Sequence, residues 1–245
     1  MMVNTAEATV RDAVLANPRT AAVFEEAGID YCCGGDVSIS AACARAGIAV
    51  DELLARIEKA ERDAATAAVS SEPLPDWGRR RLQDLTDYVV AKHHTYTRRA
   101  CEEIRSLLGK VASAHGDKYP AIKRIGQIFE VLEWELSRHM DEEEGTLFPG
   151  IVRLEARRPA AWPEPARYLV PEMVGDHLAA GEMLREIRRE SGDFTPPEHA
   201  CDSFRRLYRL LRDLERDLHW HVHLENNVLF PRAMQLLERN QGTDA

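Results

Sequence analysis

Four long stretches of the chain repeat their apolar positions at alternating spacings of three and four, the period of one buried face of an α-helix. The clearest is Ile122, Ile125, Phe129, Leu132 and Leu136, continued in register by His139 and Glu143. A second runs Phe204, Leu207, Leu211, Leu214 and Leu218, continued by His221 and Glu225. Val170, Met173, His177, Ala180, Leu184 and Ile187 form a third. Upstream, two stripes compete: Val90, His94, Thr97, Cys101, Ile104, Leu108 and Val111 against Val89, His93, Tyr96, Ala100 and Leu107. Turn-forming residues divide these runs. HGDKYP at 115–120 and GDFTPPE at 192–198 interrupt two helical hairpins, and the Pro-rich stretch 159–165 separates them. Before them lie shorter helical patterns, around 6–16, from Asn17 and Pro18, near 40–46, and from Asp51 to about Ala67. The pattern predicts an all-α protein: a small helical domain over 1–68, a linker over 69–78 (VSSEPLPDWG), and a four-helix bundle over 79–245.

All four apolar seams carry a histidine, and two of them also a glutamate. HMDEEEGTLFP at 139–149 and HVHLENNVLFP at 221–231 superpose His139 on His221, Glu143 on Glu225, and both Leu-Phe-Pro endings. His94 and His177 precede these copies at nearly equal distances, so the chain reads as a duplicated hairpin bearing His and His-x-x-x-Glu, and we choose the His94 stripe over that of His93. Residues four apart on a helix are close enough to reach one site. Of Glu142, Glu143 and Glu144, only Glu143 matches Glu225, and the other two are expected on the solvated surface. A single histidine on an apolar stripe is ordinarily a hydrogen-bonded core residue. Six residues recurring in register are different, because two buried carboxylates without cations would repel each other or take up protons. His94, His139, Glu143, His177, His221 and Glu225 are therefore the candidate ligands of a pair of first-row transition-metal ions, iron first among them. His219 and His223 leave the His221 seam, and His115 and His199 sit near Gly or Pro in loop-like segments.

Composition narrows the picture. At 245 residues with 44% hydrophobic content, the chain can hold one sizeable helical domain and a smaller one. A net charge of −9 argues against nucleic acid as a main partner. No apolar run approaches the roughly 20 residues needed to span a bilayer, and the opening MMVNTAEATVRDAV has no signal-peptide pattern, so the expected address is cytoplasmic. Five cysteines, an odd count, argue against a disulfide framework.

Two cysteines stand apart. Gly28-Ile29-Asp30-Tyr31-Cys32-Cys33-Gly34-Gly35 sets adjacent thiols among glycines that leave the backbone free to turn. A disulfide between chain neighbours would be strained, because their Cα atoms are about 3.8 Å apart and an ordinary bridge spans at least roughly 4.4 Å. Cys32 and Cys33 are assigned a redox or iron-transfer role, whereas Cys43, Cys101 and Cys201 are read as small apolar residues.

With DYCCGG, HMDEEEGTLFP and HLENNVLFP in view, the sequence resembles the Repair of Iron Centers family over nearly its whole length. The resemblance implies a hemerythrin-like bundle holding two iron ions, oxo- or hydroxo-bridged, with Glu143 and Glu225 as the bridging carboxylates. It implies a stress-response role in repairing iron-sulfur clusters damaged by nitrosative or oxidative stress, by iron donation, nitric oxide removal or both. The implied partners are damaged iron-sulfur proteins, nitric oxide or oxygen as small ligands, and an electron donor, with no nucleic acid and no membrane; a homodimer stays open. Two alternatives remain: a nitric oxide reductase at the di-iron centre, and an oxygen-binding or oxygen-sensing module. DYCCGG argues against the last, since simple oxygen binding has no use for a thiol pair.

Overall fold

The computed structural model describes residues 5–66, 75–156 and 166–241, and among them no strand is formed. Residues 69–74 of the expected linker and the Pro-rich stretch 159–165 lie outside the described residues. The chain divides into two compact units, one comprising 1–80 with 222–228, the other 81–221 with 229–245.

In the first unit, helices α1 (Val10–Ala16), α2 (Thr20–Glu26), α3 (Ile39–Ala46) and α4 (Val50–Thr66) enclose a core of Val10, Val14, Phe24, Ile39, Leu53 and Ile57. The first helix starts at Val10, later than the apolar pattern suggested, because Thr9 is its N-cap and accepts a hydrogen bond from the Asp12 amide. Thr9 also pairs through its backbone with Ser38, which caps α3 through the Ala41 amide. These two caps tie the starts of α1 and α3 together, and the Arg11 amide of α1 donates to the Gly35 carbonyl at the end of the DYCCGG turn. Asn17 and Pro18 form the corner between α1 and α2, where the Asn17 side chain accepts from the Arg19 amide.

From residue 81 on, the described chain forms four helical runs, the last of which passes through the 222–228 segment of the first unit. The first joins α5 (Leu82–Tyr88), a π-helical segment Val89–His94 and α6 (Thr95–His115). The second joins α7 (Ala121–Glu142), a π segment Glu143–Leu147 and α8 (Phe148–Glu155). The third is α9 (Ala166–Glu190), and the fourth joins α10 (Asp202–Leu224), a π segment Glu225–Leu229 and α11 (Phe230–Gln241). The expected stripes on α7, α9 and α10 are buried throughout, and Ile122, Ile125, Phe129, Leu132, Ile104, Phe204 and Leu207 lie at the centre of the core.

Two of the three π segments, Glu143–Leu147 and Glu225–Leu229, mark the two repeats. Pro149 and Pro231 follow them, and a proline ring collides with the carbonyl four residues back, here on Gly145 and Asn227. The wider turn relieves that collision, so the Leu-Phe-Pro ending accounts for the distortion. In the first run, the π segment carries one extra residue per turn, and both His93 and His94 become buried. The two competing stripes of the sequence are thus one broad inward face.

Candidate metal centre

The six expected ligand residues are all 4% exposed or less. They form two groups sharing both carboxylates: His94, Glu143, His221 and Glu225, and His139, Glu143, His177 and Glu225, with one donor atom from each residue lying within 4.8 Å of the others. His94 Nε2 is 3.2 Å from His221 Nε2, and His139 Nε2 is 3.0 Å from His177 Nε2. Glu143 reaches both pairs, with Oε2 3.3 Å from His94 Nε2 and Oε1 3.4 Å from His139 Nε2.

The protons can be placed from the outer contacts. His94 Nδ1 lies 2.8 Å from Glu144 Oε1, and His139 Nδ1 lies 3.2 Å from Asp176 Oδ2. An ionised carboxylate only accepts, so each Nδ1 carries the proton and each Nε2 turns its lone pair inward. Imidazole lone pairs and carboxylates facing one another in a buried space need cations. Two nitrogens at right angles on one ion, with bonds of about 2.1 Å, stand about 3.0 Å apart. Both nitrogen pairs have that spacing, so the residues present fit two transition-metal ions.

The surrounding residues hold this set rigidly. Arg98 donates to Glu144 at 2.7 Å and to Asp141 at 2.7 Å. Arg138 donates to Asp176 at 2.7 Å and to Glu142 at 3.2 Å. Each of these two histidines is therefore backed by a carboxylate that an arginine holds in place, an arrangement that fixes the ring and raises its basicity. Burial opposes ionisation of Glu144, but hydrogen bonds from Arg98 and His94 outweigh it and hold this carboxyl below its ordinary value. Phe148 stacks on His94 at 5.7 Å, and its repeat equivalent Phe230 stacks on His177 at 6.1 Å. The repeated phenylalanine thus covers an equivalent histidine in each half and keeps water off it.

Sequence reasoning placed Glu144 on the solvated surface, and the structure corrects this: the side chain is one-third exposed but bonded to His94. It also passed over Asp176, Arg98 and Arg138, which carry no signal in the repeat. Glu144→Ala is expected to weaken iron binding by about 10- to 100-fold, the usual effect of losing the partner behind a ligand histidine. Competition with an iron chelator measures it, and parent-like affinity would show that Glu144 does not support His94.

The position after the shared glutamate differs between the repeats, being Glu144 in the first and Asn226 in the second. The Asn226 side-chain amide donates to the Cys32 carbonyl at 3.3 Å and faces Cys33 Sγ at 3.8 Å. Asn227 donates to the carbonyls of Tyr31 at 3.2 Å and Cys32 at 3.3 Å, and also contacts His223 Nδ1 at 2.9 Å. Burial brings His223 down to about 4, so it is neutral near physiological pH. The DYCCGG turn itself is closed by Asp30, whose Oδ1 accepts from the amides of Cys32 at 3.0 Å and Cys33 at 2.8 Å. Gly35 is required there, because a Cβ would come within 2.7 Å of the Tyr31 carbonyl. Neither thiol is in a disulfide; Cys32 is buried and Cys33 half-buried. The hydrogen bond to Cys33, burial and the Asp30 charge together push the Cys32 thiol well above its ordinary value.

Residues 85–233 match the Hemerythrin HHE cation binding domain, and residues 6–61 match ScdA_N, a domain of unknown function. The iron-sulfur cluster repair protein YtfE of Escherichia coli O1:K1 is 33% identical over 221 residues, covering 90% of this chain and 93% of its own length. YtfE of Escherichia fergusonii has the same identity and coverage, and that of Escherichia coli O81 is 32% identical over the same span. No helix among the described residues is long and apolar enough to cross a membrane.

Proposed function

The chain belongs to the family of the iron-sulfur cluster repair protein YtfE, and from that premise we propose that it is a di-iron protein that repairs iron-sulfur clusters damaged by nitrosative or oxidative stress. His94 and His221 would hold one iron and His139 and His177 the other, with Glu143 and Glu225 placed to serve both positions. The observation that carries this reading is Glu143, whose two oxygens point to two different histidine pairs. When bound, the irons supply one-electron redox chemistry and open positions for a small ligand such as nitric oxide or oxygen. Glu144 and Asp176 accept hydrogen bonds from Nδ1 of His94 and His139, Phe148 and Phe230 exclude water, and Glu143 and Glu225 would offset the ionic charge.

Four of the six ligands are neutral, and the two anionic ones are shared. Such a set binds iron without enclosing it in charge, which suits surrender of iron to a damaged cluster. The clients are damaged iron-sulfur proteins, served in the cytoplasm with an external electron donor; a small domain over 1–68 and a linker over 69–78 precede the bundle. Anaerobic addition of nitric oxide to the reduced protein, with gas product and released iron measured together, tests the mode of repair. Iron leaving in step with recovery of a nitric-oxide-damaged cluster enzyme supports donation. Catalytic gas production with full retention of iron would replace that reading with nitric oxide reduction. Cys32→Ser with Cys33→Ser is expected to spare the iron centre, whose ligands all follow residue 90, and to slow enzyme recovery several-fold. Equal recovery rates for this variant and the parent, with one reductant, would remove the thiols from the function.

A further inference from the structure

We propose that Asp30, Cys32 and Cys33 form a third cation site, separate from the histidine and glutamate ligands, for a thiophilic divalent ion of the ferrous iron or zinc class. One donor atom from each of the three lies within 4.8 Å of the others. The two sulfurs are 3.8 Å apart, and Cys32 Sγ is 3.3 Å from Asp30 Oδ1. A tetrahedral ion with metal-sulfur bonds of about 2.3 Å and metal-oxygen bonds of about 2.0 Å sets two sulfurs about 3.8 Å apart and a sulfur and oxygen about 3.5 Å apart. The sulfur–sulfur and Cys32–Asp30 spacings therefore already lie close to two edges of such a tetrahedron.

The support around them is of the kind a metal site needs. Asp30 is oriented by the amides of Cys32 and Cys33, both bonded to Oδ1. The Asn226 amide faces Cys33 Sγ, where an N–H donor stabilises sulfur that has lost its proton. Asn226 and Asn227 both hold the Cys32 carbonyl, which fixes the turn. Asp30 is exposed and Cys33 half-buried, so a fourth position faces solvent. Three protein ligands with an open fourth position characterise sites that exchange their ion or ligand, whereas purely structural sites are closed. On binding, the divalent ion takes two thiolates and one carboxylate, and the two thiol protons pass to water.

Cobalt(II) is the probe, added anaerobically in one equivalent to the full-length, iron-loaded protein. The expected result is a near-ultraviolet sulfur-to-cobalt charge-transfer band, with iron content unchanged. Bound cobalt should protect both Cys32 and Cys33 from alkylation, as read by peptide mass analysis that separates them from Cys43, Cys101 and Cys201. Asp30→Asn keeps an oxygen acceptor for the two backbone amides and is expected to weaken cobalt binding at least about tenfold while the helical signal is retained. Zinc or ferrous iron should displace the probe, and whichever does so at the lower concentration is the preferred ion. Absence of the sulfur band in the parent protein, or equal alkylation of both cysteines with and without cobalt, would overturn the site. Parent-like affinity in Asp30→Asn would overturn its third ligand.

Discussion

Glu143→Ala and Glu225→Ala are each expected to purify with most of their iron missing, where the parent protein is expected to hold about two ions per chain. Both carboxylates are fully buried, and each belongs to both ligand groups, so one substitution removes a donor from two metal positions at once. It also removes negative charge that offsets the ions in a space closed to water. Iron-loaded parent protein gains stability because the metal binds only the folded state, and the variants forfeit that gain, so their melting temperature falls below that of the loaded parent. The comparison without metal separates charge from packing. Stripped parent protein retains desolvated carboxylates facing each other, whereas Glu143→Gln keeps the volume and drops one charge. The Gln variant should therefore melt no lower than the stripped parent. Metal analysis, the absorption spectrum and thermal unfolding with and without a chelator check the set. Full iron occupancy and an unchanged spectrum in either Ala variant would remove that glutamate from the centre.

His94→Ala is expected to lose much of the iron and change the spectrum, and His93→Ala to keep both nearly intact. The two rings are adjacent in sequence and both buried, but their contacts differ. His94 presents Nε2 to His221 at 3.2 Å and to Glu143 at 3.3 Å, with Glu144 behind it. His93 instead pairs through Nδ1 with Asp217 at 3.0 Å, meets the edge of Tyr88, and stacks on His221 at 5.6 Å with ring planes 8° apart. It packs against a candidate ligand, so its removal is expected to loosen His221 without deleting a candidate donor. A modest loss of thermal stability with near-parent iron content follows for His93→Ala. The reverse pattern in the two variants would place the ligand at His93.

Much of this molecule is readable along one dimension. Helical periodicity is local, so the seams ending in His139 and Glu143, and in His221 and Glu225, announce themselves within single segments. Duplication supplies an internal control, since aligning Leu-Phe-Pro with Leu-Phe-Pro selects Glu143 from three neighbouring glutamates. DYCCGG likewise stands out because thiols and glycines are crowded into one turn. None of this locates the partners of the ligands. Glu144 meets His94 across 50 residues, Asp176 meets His139 across 37, and Asn226 meets Cys32 across 194. Those meetings depend on which helix faces the next and at what register, which periodicity within one segment does not encode. The first helical run shows the same limit in miniature. Its two stripes remained rivals because an ideal α-helix turns only one of them inward, and the π turn at Val89–His94 buries both histidines. The ligand types and their repeat were thus written in the sequence itself, while the protons, the supporting carboxylates and the clamp on the thiol turn were decided by tertiary packing, because hydrogen bonds join atoms that only the folded chain brings within 3 Å or so of each other.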